Sequence, residues 1–205
     1  MLLNLNELVE KYKMNIKGVL HIGAHFGNEM STYENLKIEN VTFFEPVPKT
    51  FEVLKNNVGS KATLFNVALG SFEGESEMFV ESANSGQSSS ILEPMLHLSQ
   101  YPNIVFNEKI KTKVTKLDNY IETSDLHNFI NMDVQGYELE VLKGSVMYLE
   151  KIDYIMTEVN NKELYKNCAL VEEIDEFLSR FNFVRVETYW AGGTWGDALY
   201  IKNKI

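Results

Sequence analysis

The chain has 205 residues and a formal net charge of −10, from 19 Lys and Arg against 29 Asp and Glu. That balance speaks against binding a phosphodiester backbone, which needs clustered Lys and Arg. Cys168 is the only cysteine, so an internal disulfide and a multi-cysteine zinc site are excluded. The N-terminal stretch MLLNLNELVEKYKM lacks the apolar core of a secretory signal, and no run approaches the ~20 apolar residues of a membrane span. The expectation is a cytoplasmic protein with no membrane partner, in which residues 1–205 form one domain.

Leu2, Leu5, Leu8, Val9 and Tyr12 recur at helical spacing, which predicts a helix over 3–13. Residues 1–17 then form a helical N-terminal piece that packs on the core. Val19-Leu20-His21-Ile22 reads as a buried strand. It breaks at Gly23-Ala24-His25-Phe26-Gly27, and a helical pattern follows over 29–36. Strand, glycine turn and helix open a nucleotide-binding α/β unit. Gly23 permits a tight turn and close approach by a ligand, and Gly27 lets the helix pack closely. His21 lies within the strand and reads as a satisfied core histidine. His25 lies in the turn, nearer the ligand.

A second strand at 41–45 ends in Glu45-Pro46. An acid there, roughly 20 residues after the glycine turn, is placed to hydrogen-bond ribose hydroxyls, and Pro46 ends the strand. The spacings GxGxxG and GxxxxGK[ST] are absent. That speaks against NAD and ATP and fits a phosphate-free adenosyl ligand such as S-adenosylmethionine.

Phe51, Val53, Leu54 and Val58 mark a second helix closed at Gly59. Residues 63–68 read as a third strand carrying Asn66, Val67 and Ala68. Residues 74–80 alternate like a hairpin strand, and 82–90, SANSGQSSS, form a polar loop. Ser88, Ser89 and Ser90 are placed there to donate hydrogen bonds to a ligand. An extended strand is predicted over 110–117 and a short helix over 117–121. A fourth strand, 128–133, ends at Asp133 with Gln135 beyond it. A helix over 137–143 is closed by Gly144. A fifth strand, 154–159, brings Glu158 and Asn160. A helical stripe runs from Val171 to Phe181, and strands six and seven are predicted at 183–186 and 198–201.

In a doubly wound sheet ligands bind at the carboxyl ends of the strands. Gly23, Ala24, His25, Gly27, Glu45, Pro46, Asn66, Val67, Ala68, Ser88, Ser89 and Asp133 are therefore the candidates for cofactor contact. Asp133 is the first candidate base, with Glu158, His25 and Asp197 behind it. Gln135, Asn160, Tyr189, Trp190, Thr194 and Trp195 are candidates for the acceptor side, because aromatic faces beside polar groups suit sugar rings. Asp133, Glu158 and Asn160 together also form an oxygen-rich set suited to Mg²⁺. Direct binding of hydroxyls is the simpler reading, so no metal is expected.

The segments GVLHIGAHFGNE, FEP, NVALG, QSSSIL and NMDVQGYELEVLKG resemble FkbM-type methyltransferases, and TEVNNKELY and WGDALYI match one branch of them. The resemblance runs from about Gly18 to Ile201. Most members carry an acid where this chain has His21 and Asn where it has His25. The resemblance implies a three-layer, Rossmann-like class I fold. Its seven-stranded, mostly parallel sheet has the order 3-2-1-4-5-7-6, with strand seven antiparallel. It also implies transfer of a methyl group from S-adenosylmethionine to a hydroxyl of a sugar, a glycan or another small molecule. Two readings from other classes stand beside this one: a nucleic-acid or protein methyltransferase, and a binding module without catalysis.

Overall fold

A computed structural model describes residues 2–120 and 126–203. Its centre is β1, Gly18–Ile22, in which every residue is buried. β1 lies between β2 (Asn40–Phe44) and β7 (Phe129–Met132), parallel to both. A strand covered on both faces is apolar along nearly its whole length, which is why VLHI shows no polar alternation apart from His21. β3 (Thr63–Phe65) pairs with β2, and β8 (Tyr154–Asn160) with β7, both parallel. β10 (Trp195–Lys202) runs antiparallel between β8 and β9 (Phe183–Ala191). The sheet order is β3-β2-β1-β7-β8-β10-β9. In order and in strand direction this is the sheet that the family resemblance implies.

Alternate side chains of these strands feed two cores. Leu20, Ile22, Ile130, Met132 and Ile155 point to one face, where Val141, Leu142, Leu149, Ile174 and Leu178 cover them. These covering residues come from α5 (Glu138–Lys143), α6 (Val146–Leu149) and α7 (Val171–Ser179). Val19, Phe43, Phe129 and Met156 point to the other face, against Leu5, Leu8, Tyr33, Leu54 and Val58. That layer is α1 (Leu5–Tyr12), α2 (Met30–Asn35) and α3 (Pro48–Val58). α1 starts where the Asn4 side chain accepts from the Asn6 amide, a helix N-cap. α3 begins at Pro48, whose fixed φ suits the first helical position, and ends at Gly59.

His21 and Asn131 are polar residues on the α2 face of this sheet. Both are buried, and Tyr33 of α2 joins them. Asn131 Nδ2 donates to Tyr33 Oη at 2.6 Å, and Tyr33 Oη lies 2.9 Å from His21 Nδ1. The phenol has one proton to give, and Nδ1 is the acceptor within reach, so the ring proton of His21 sits on Nε2. Burial lowers the His21 pKa and keeps the ring neutral.

Several elements differ from the sequence expectations. The strand expected over 63–68 is two pieces, because β4 (Ala68–Leu69) leaves the main sheet. β4 joins β5 (Gly74–Glu81) and β6 (Phe106–Thr115) in a second, three-stranded sheet. The helix expected over 117–121 is a 3₁₀ turn at Leu117–Asn119, and Ile121 lies outside the described residues. α4 (Leu96–Gln100) and α6 were not anticipated; at five and four residues they are too short to show a period. The polar loop expected over 82–90 is anchored at its end. Phe79 and Ser90 exchange both backbone hydrogen bonds, at 2.8 and 3.0 Å, so the run leaves β5 and returns to it.

Gly23 has φ +81°, and a Cβ there would stand 1.9 Å from the carbonyl oxygen of Asp133. Its bare backbone thus lets β1 and β7 end side by side. Gly23→Ala is expected to cost about 2–4 kcal/mol of stability, from overpacking and a left-handed alanine together. Urea unfolding measures it. A loss under about 0.5 kcal/mol, the range of ordinary surface changes, would show that the turn yields without consequence.

Candidate active site

Two cavities open at the carboxyl ends of the strands, and Gly23, His25, Gln87, Asp133 and Gln135 line both. The smaller, about 60 Å³, is walled by Ile22, Phe44, Val67, Leu69 and Met78, with Glu45 as its buried carboxylate. Pro46, Ala68 and Ser89 also line it. Gly23 and Ala24 amides both donate to the Phe44 carbonyl at 3.0 Å, which fixes the glycine turn. The His25 amide then donates to Glu45 Oε2 and the Val47 amide to Glu45 Oε1, each at 2.9 Å. Glu45 is 5% exposed, and burial pushes its pKa up to about 7 against those two backbone bonds. Each oxygen keeps a lone pair for a further donor.

The larger cavity, about 490 Å³, has Asp133, Gln135 and Glu158 on its lining. Gln135 Nε2 donates to Asp133 Oδ1 at 2.7 Å and to Glu158 Oε2 at 2.9 Å. Its Oε1 accepts from the Tyr165 hydroxyl at 2.8 Å, and its carbonyl accepts from Ser90 Oγ at 2.7 Å. Burial pushes the Glu158 carboxyl well above the usual range, and the neighbouring charges of Asp133, Glu138 and Asp197 add to this. Both effects favour the protonated form of Glu158. Glu138, buried behind the turn, accepts from the Val134 and Gly136 amides at 3.1 Å each and is also pushed up, to about 7, by burial.

The opposite wall is aromatic. Trp195 Nε1 donates to Tyr101 Oη at 2.7 Å, and both residues line the cavity with His97, Ile104 and Leu164. Gln100 Nε2 ties this wall to the tip of the β9–β10 hairpin, reaching Tyr101 Oη at 2.9 Å and Thr194 Oγ1 at 2.8 Å. The His97 ring stands 5.1–5.4 Å, centroid to centroid, from Tyr101, Phe106 and Tyr165.

The structure separates the sequence candidates. Ala24, His25, Ser88, Asp133, Gln135, Glu158 and Trp195 line the larger cavity. His25 Nε2 contacts the Ser85 carbonyl at 2.8 Å, and its ring stacks on Phe26. Ser90 is not free to serve a ligand: its hydroxyl donates to Gln135 and accepts from the Leu92 amide. Ser89 Oγ accepts from the Glu81 amide. Asn66 lines neither cavity and braces the Glu45 turn by donating to the Glu45 and Pro46 carbonyls. Gly27 packs against Leu54 and Val58 of α3.

Asp197 also lines neither cavity. It is buried and accepts from the Leu2 and Leu3 amides, so it latches the N-terminal segment. Asn160 is fully buried, and nothing in the structure pairs its amide. Tyr189 and Trp190 sit on β9, 56% and 36% exposed, outside both cavities. Thr194 lies behind Trp195 and acts through Gln100. Where a metal would bridge Asp133 and Glu158, the Gln135 amide stands. Among the described residues no group of three His, Cys, Asp or Glu side chains is arranged to hold a metal ion.

Sequence reasoning missed Glu29, Gln87, His97, Tyr101, Leu164 and Tyr165. Gln87 was within reach, since it opens the QSSSIL segment. The 93–105 stretch has no period or motif to mark it. Its place is set by contacts with 161–168, including the Met95 and His97 amides on the Leu164 carbonyl at 2.9 and 3.1 Å.

Comparison with known proteins agrees with this fold. The model of the methyltransferase FkbM domain family matches residues 21–185. The 2-O-methyltransferase NoeI of Sinorhizobium fredii is 28% identical over 197 residues, 91% of this chain and 80% of that protein. Among solved structures, Streptococcus pneumoniae Sp1610 in complex with S-adenosyl-L-methionine superposes with TM-score 0.55 at 13% identity, covering 100% of this chain and 75% of that one. Magnesium protoporphyrin IX methyltransferase of Synechocystis PCC 6803 gives TM-score 0.53 at 10% identity, over 97% and 76% of the two chains. At those identities the structural likeness speaks for the fold alone. The match over residues 21–185 does more: the chain belongs to the FkbM methyltransferase family, whose methyl donor is S-adenosylmethionine.

Proposed function

We propose that this protein is an O-methyltransferase acting on a hydroxyl of a sugar or glycan. The observation that carries the reading is the position of Asp133. It follows β7 directly and lines both the apolar Glu45 cavity and the aromatic-walled one. A carboxylate at the junction of two cavities is where a proton must leave an acceptor hydroxyl when that hydroxyl meets a methyl donor. The likeness to a 2-O-methyltransferase supports oxygen as the nucleophile.

The lining of the smaller cavity suits an adenosyl group, although at about 60 Å³ the cavity takes one in only if its walls part or the group extends into the larger cavity. The walls of the smaller cavity are apolar, and its buried carboxylate has lone pairs to spare for two ribose hydroxyls. When bound, S-adenosylmethionine supplies a methyl group already activated on a sulfonium. The protein's own residues then do three things. Asp133 Oδ2 takes the acceptor proton, since Oδ1 is already occupied by Gln135. Gln135 holds Asp133 in place, and its left-handed backbone, φ +56°, turns the chain so that its side chain points back between the two acids. Burial pushes Glu158 toward its neutral form, which lessens its competition with Asp133 for that proton. The aromatic wall of Tyr101 and Trp195 offers an apolar face to the C–H side of a sugar ring.

Asp133→Asn keeps the shape and cannot take a proton. Its turnover is expected to fall by ~10²–10⁴-fold, with cofactor affinity held within a few fold. Wild-type turnover in this variant would leave Asp133 as a structural residue and move the base to Glu158 or His25. Loss of wild-type activity with EDTA, restored by Mg²⁺, would instead make Asp133 a metal ligand.

Glu45 gives a pH test of the cofactor reading. Ribose hydroxyls donate to the ionised carboxylate, so binding favours the form that exists above pH 7. Calorimetric titration with S-adenosylhomocysteine is expected to show affinity about tenfold weaker at pH 6 than at pH 8, with proton release on binding. Glu45→Gln should remove that dependence and weaken binding by about tenfold or more. A flat pH profile in the wild type, with Glu45→Gln binding normally, would remove the ribose assignment.

A further inference from the structure

The larger cavity carries a charge pattern that says which acceptors it takes, given the O-methylation reading above. Glu29, Asp133 and Glu158 line it, and Glu138 and Asp197 lie close enough behind Glu158 to act on its charge. No Lys or Arg is among the described residues that line either cavity. Two of the three lining imidazoles, His21 and His97, are buried, and burial holds both toward the neutral form. The cations of this fold sit on the surface in pairs such as Lys11 with Glu187, Lys49 with Glu108 and Arg185 with Asp175. A lining of carboxylates, with no Lys or Arg among its described residues, favours the sulfonium of the donor. It repels any anion brought in with the acceptor.

The polar groups that face the cavity are matched to hydroxyls. Asp133 keeps one oxygen free, and Glu158, pushed toward its protonated form by burial, has an oxygen beyond the one that Gln135 holds. His97 presents a neutral ring, and its Nδ1 is enclosed without a protein partner. Its seat among Tyr101, Phe106 and Tyr165 leaves it little freedom to rotate. Donors and acceptors of this kind orient hydroxyls well and give an anion nothing to pair with.

We propose that the acceptor is a hydroxylated ring without phosphate, carboxylate or sulfate. The cavity rejects the same ring once it carries such a group. Charge, set by Glu29 and Asp133 on the cavity lining, is then a specificity determinant of the reaction. Nucleotide-linked sugars, sugar phosphates and uronic acids fall outside its range; free neutral glycosides and neutral oligosaccharides fall within it.

The test is transfer of a labelled methyl group from S-adenosylmethionine to matched pairs of acceptors. Neutral mono- and oligosaccharides are compared with their 6-phosphate, uronic-acid and nucleotide-diphosphate counterparts. The neutral member of a pair is expected to have kcat/KM at least about a hundredfold higher, the size of a like-charge clash of several kcal/mol. Added salt should narrow that gap, and Glu29→Gln should narrow it about tenfold. Equal or better methylation of the charged member would overturn the inference and leave sugar O-methylation standing. Transfer to no saccharide of either kind, by a protein that still binds S-adenosylhomocysteine in calorimetry, would overturn both. Those outcomes separate a wrong charge assignment from a wrong acceptor class.

Discussion

The hydrogen bonds of one amide, that of Gln135, are what the rest of the site depends on. Its two Nε2 protons go to Asp133 and Glu158, carboxyls that would otherwise repel each other in a buried setting. Its Oε1 holds the Tyr165 hydroxyl, which also reaches the Ser88 carbonyl at 2.9 Å. Its own carbonyl holds Ser90. Four stretches far apart in sequence, the serine loop, the end of β7, the end of β8 and the 161–168 segment, thus share one residue. Gln135 can take this place because its backbone is left-handed and Gly136 follows it at φ +93°. A Cβ at Gly136 would stand 2.9 Å from Cys168 Cβ, so only glycine lets the turn close there.

Burying so many acids has a cost to stability that runs in a definite direction. Glu45 and Glu138 have folded-state pKa values of about 7 against 4.5 for the free side chain. A carboxyl whose pKa is raised on folding is more easily protonated in the native state. Its contribution is complete below about pH 4.5 and is lost as pH rises through 7. The fold accepts that loss at the site, where the ionised groups have work to do, and makes it good in the two apolar cores.

The main sheet was legible because its central strands are buried on both faces. VLHI, VTFF and FINM are apolar runs closed by turn residues, and a buried strand has few other compositions open to it. The second sheet was not legible. β4 is two residues long, and its departure from β3 depends on pairing with β6, more than 40 residues away. Likewise Tyr189 and Trp190 read as acceptor-side residues, in a stretch placed between the strands expected at 183–186 and 198–201. In the structure it continues β9 in pairing with β10, which puts Tyr189 and Trp190 on the outside. Only Trp195 was left facing the site.

The site divides along the same line. Gly23, Glu45 and Asp133 sit at ends of parallel strands, and strand ends are local features, marked by an apolar run and the residue that breaks it. Those the sequence by itself determined, along with the fold class and the phosphate-free character of the nucleotide cleft. Which polar groups are free, and which are already bonded to the protein, was decided only by tertiary structure. Asp197 is taken by the Leu2 and Leu3 amides, nearly 200 residues distant in sequence. Ser90 is taken by Gln135, and Asn66 by the Glu45 turn. His97 and Tyr101 enter the site because the 93–105 segment docks on 161–168. A hydrogen-bond partner is chosen by position in space, and no local pattern of residues encodes a contact that closes across the whole chain.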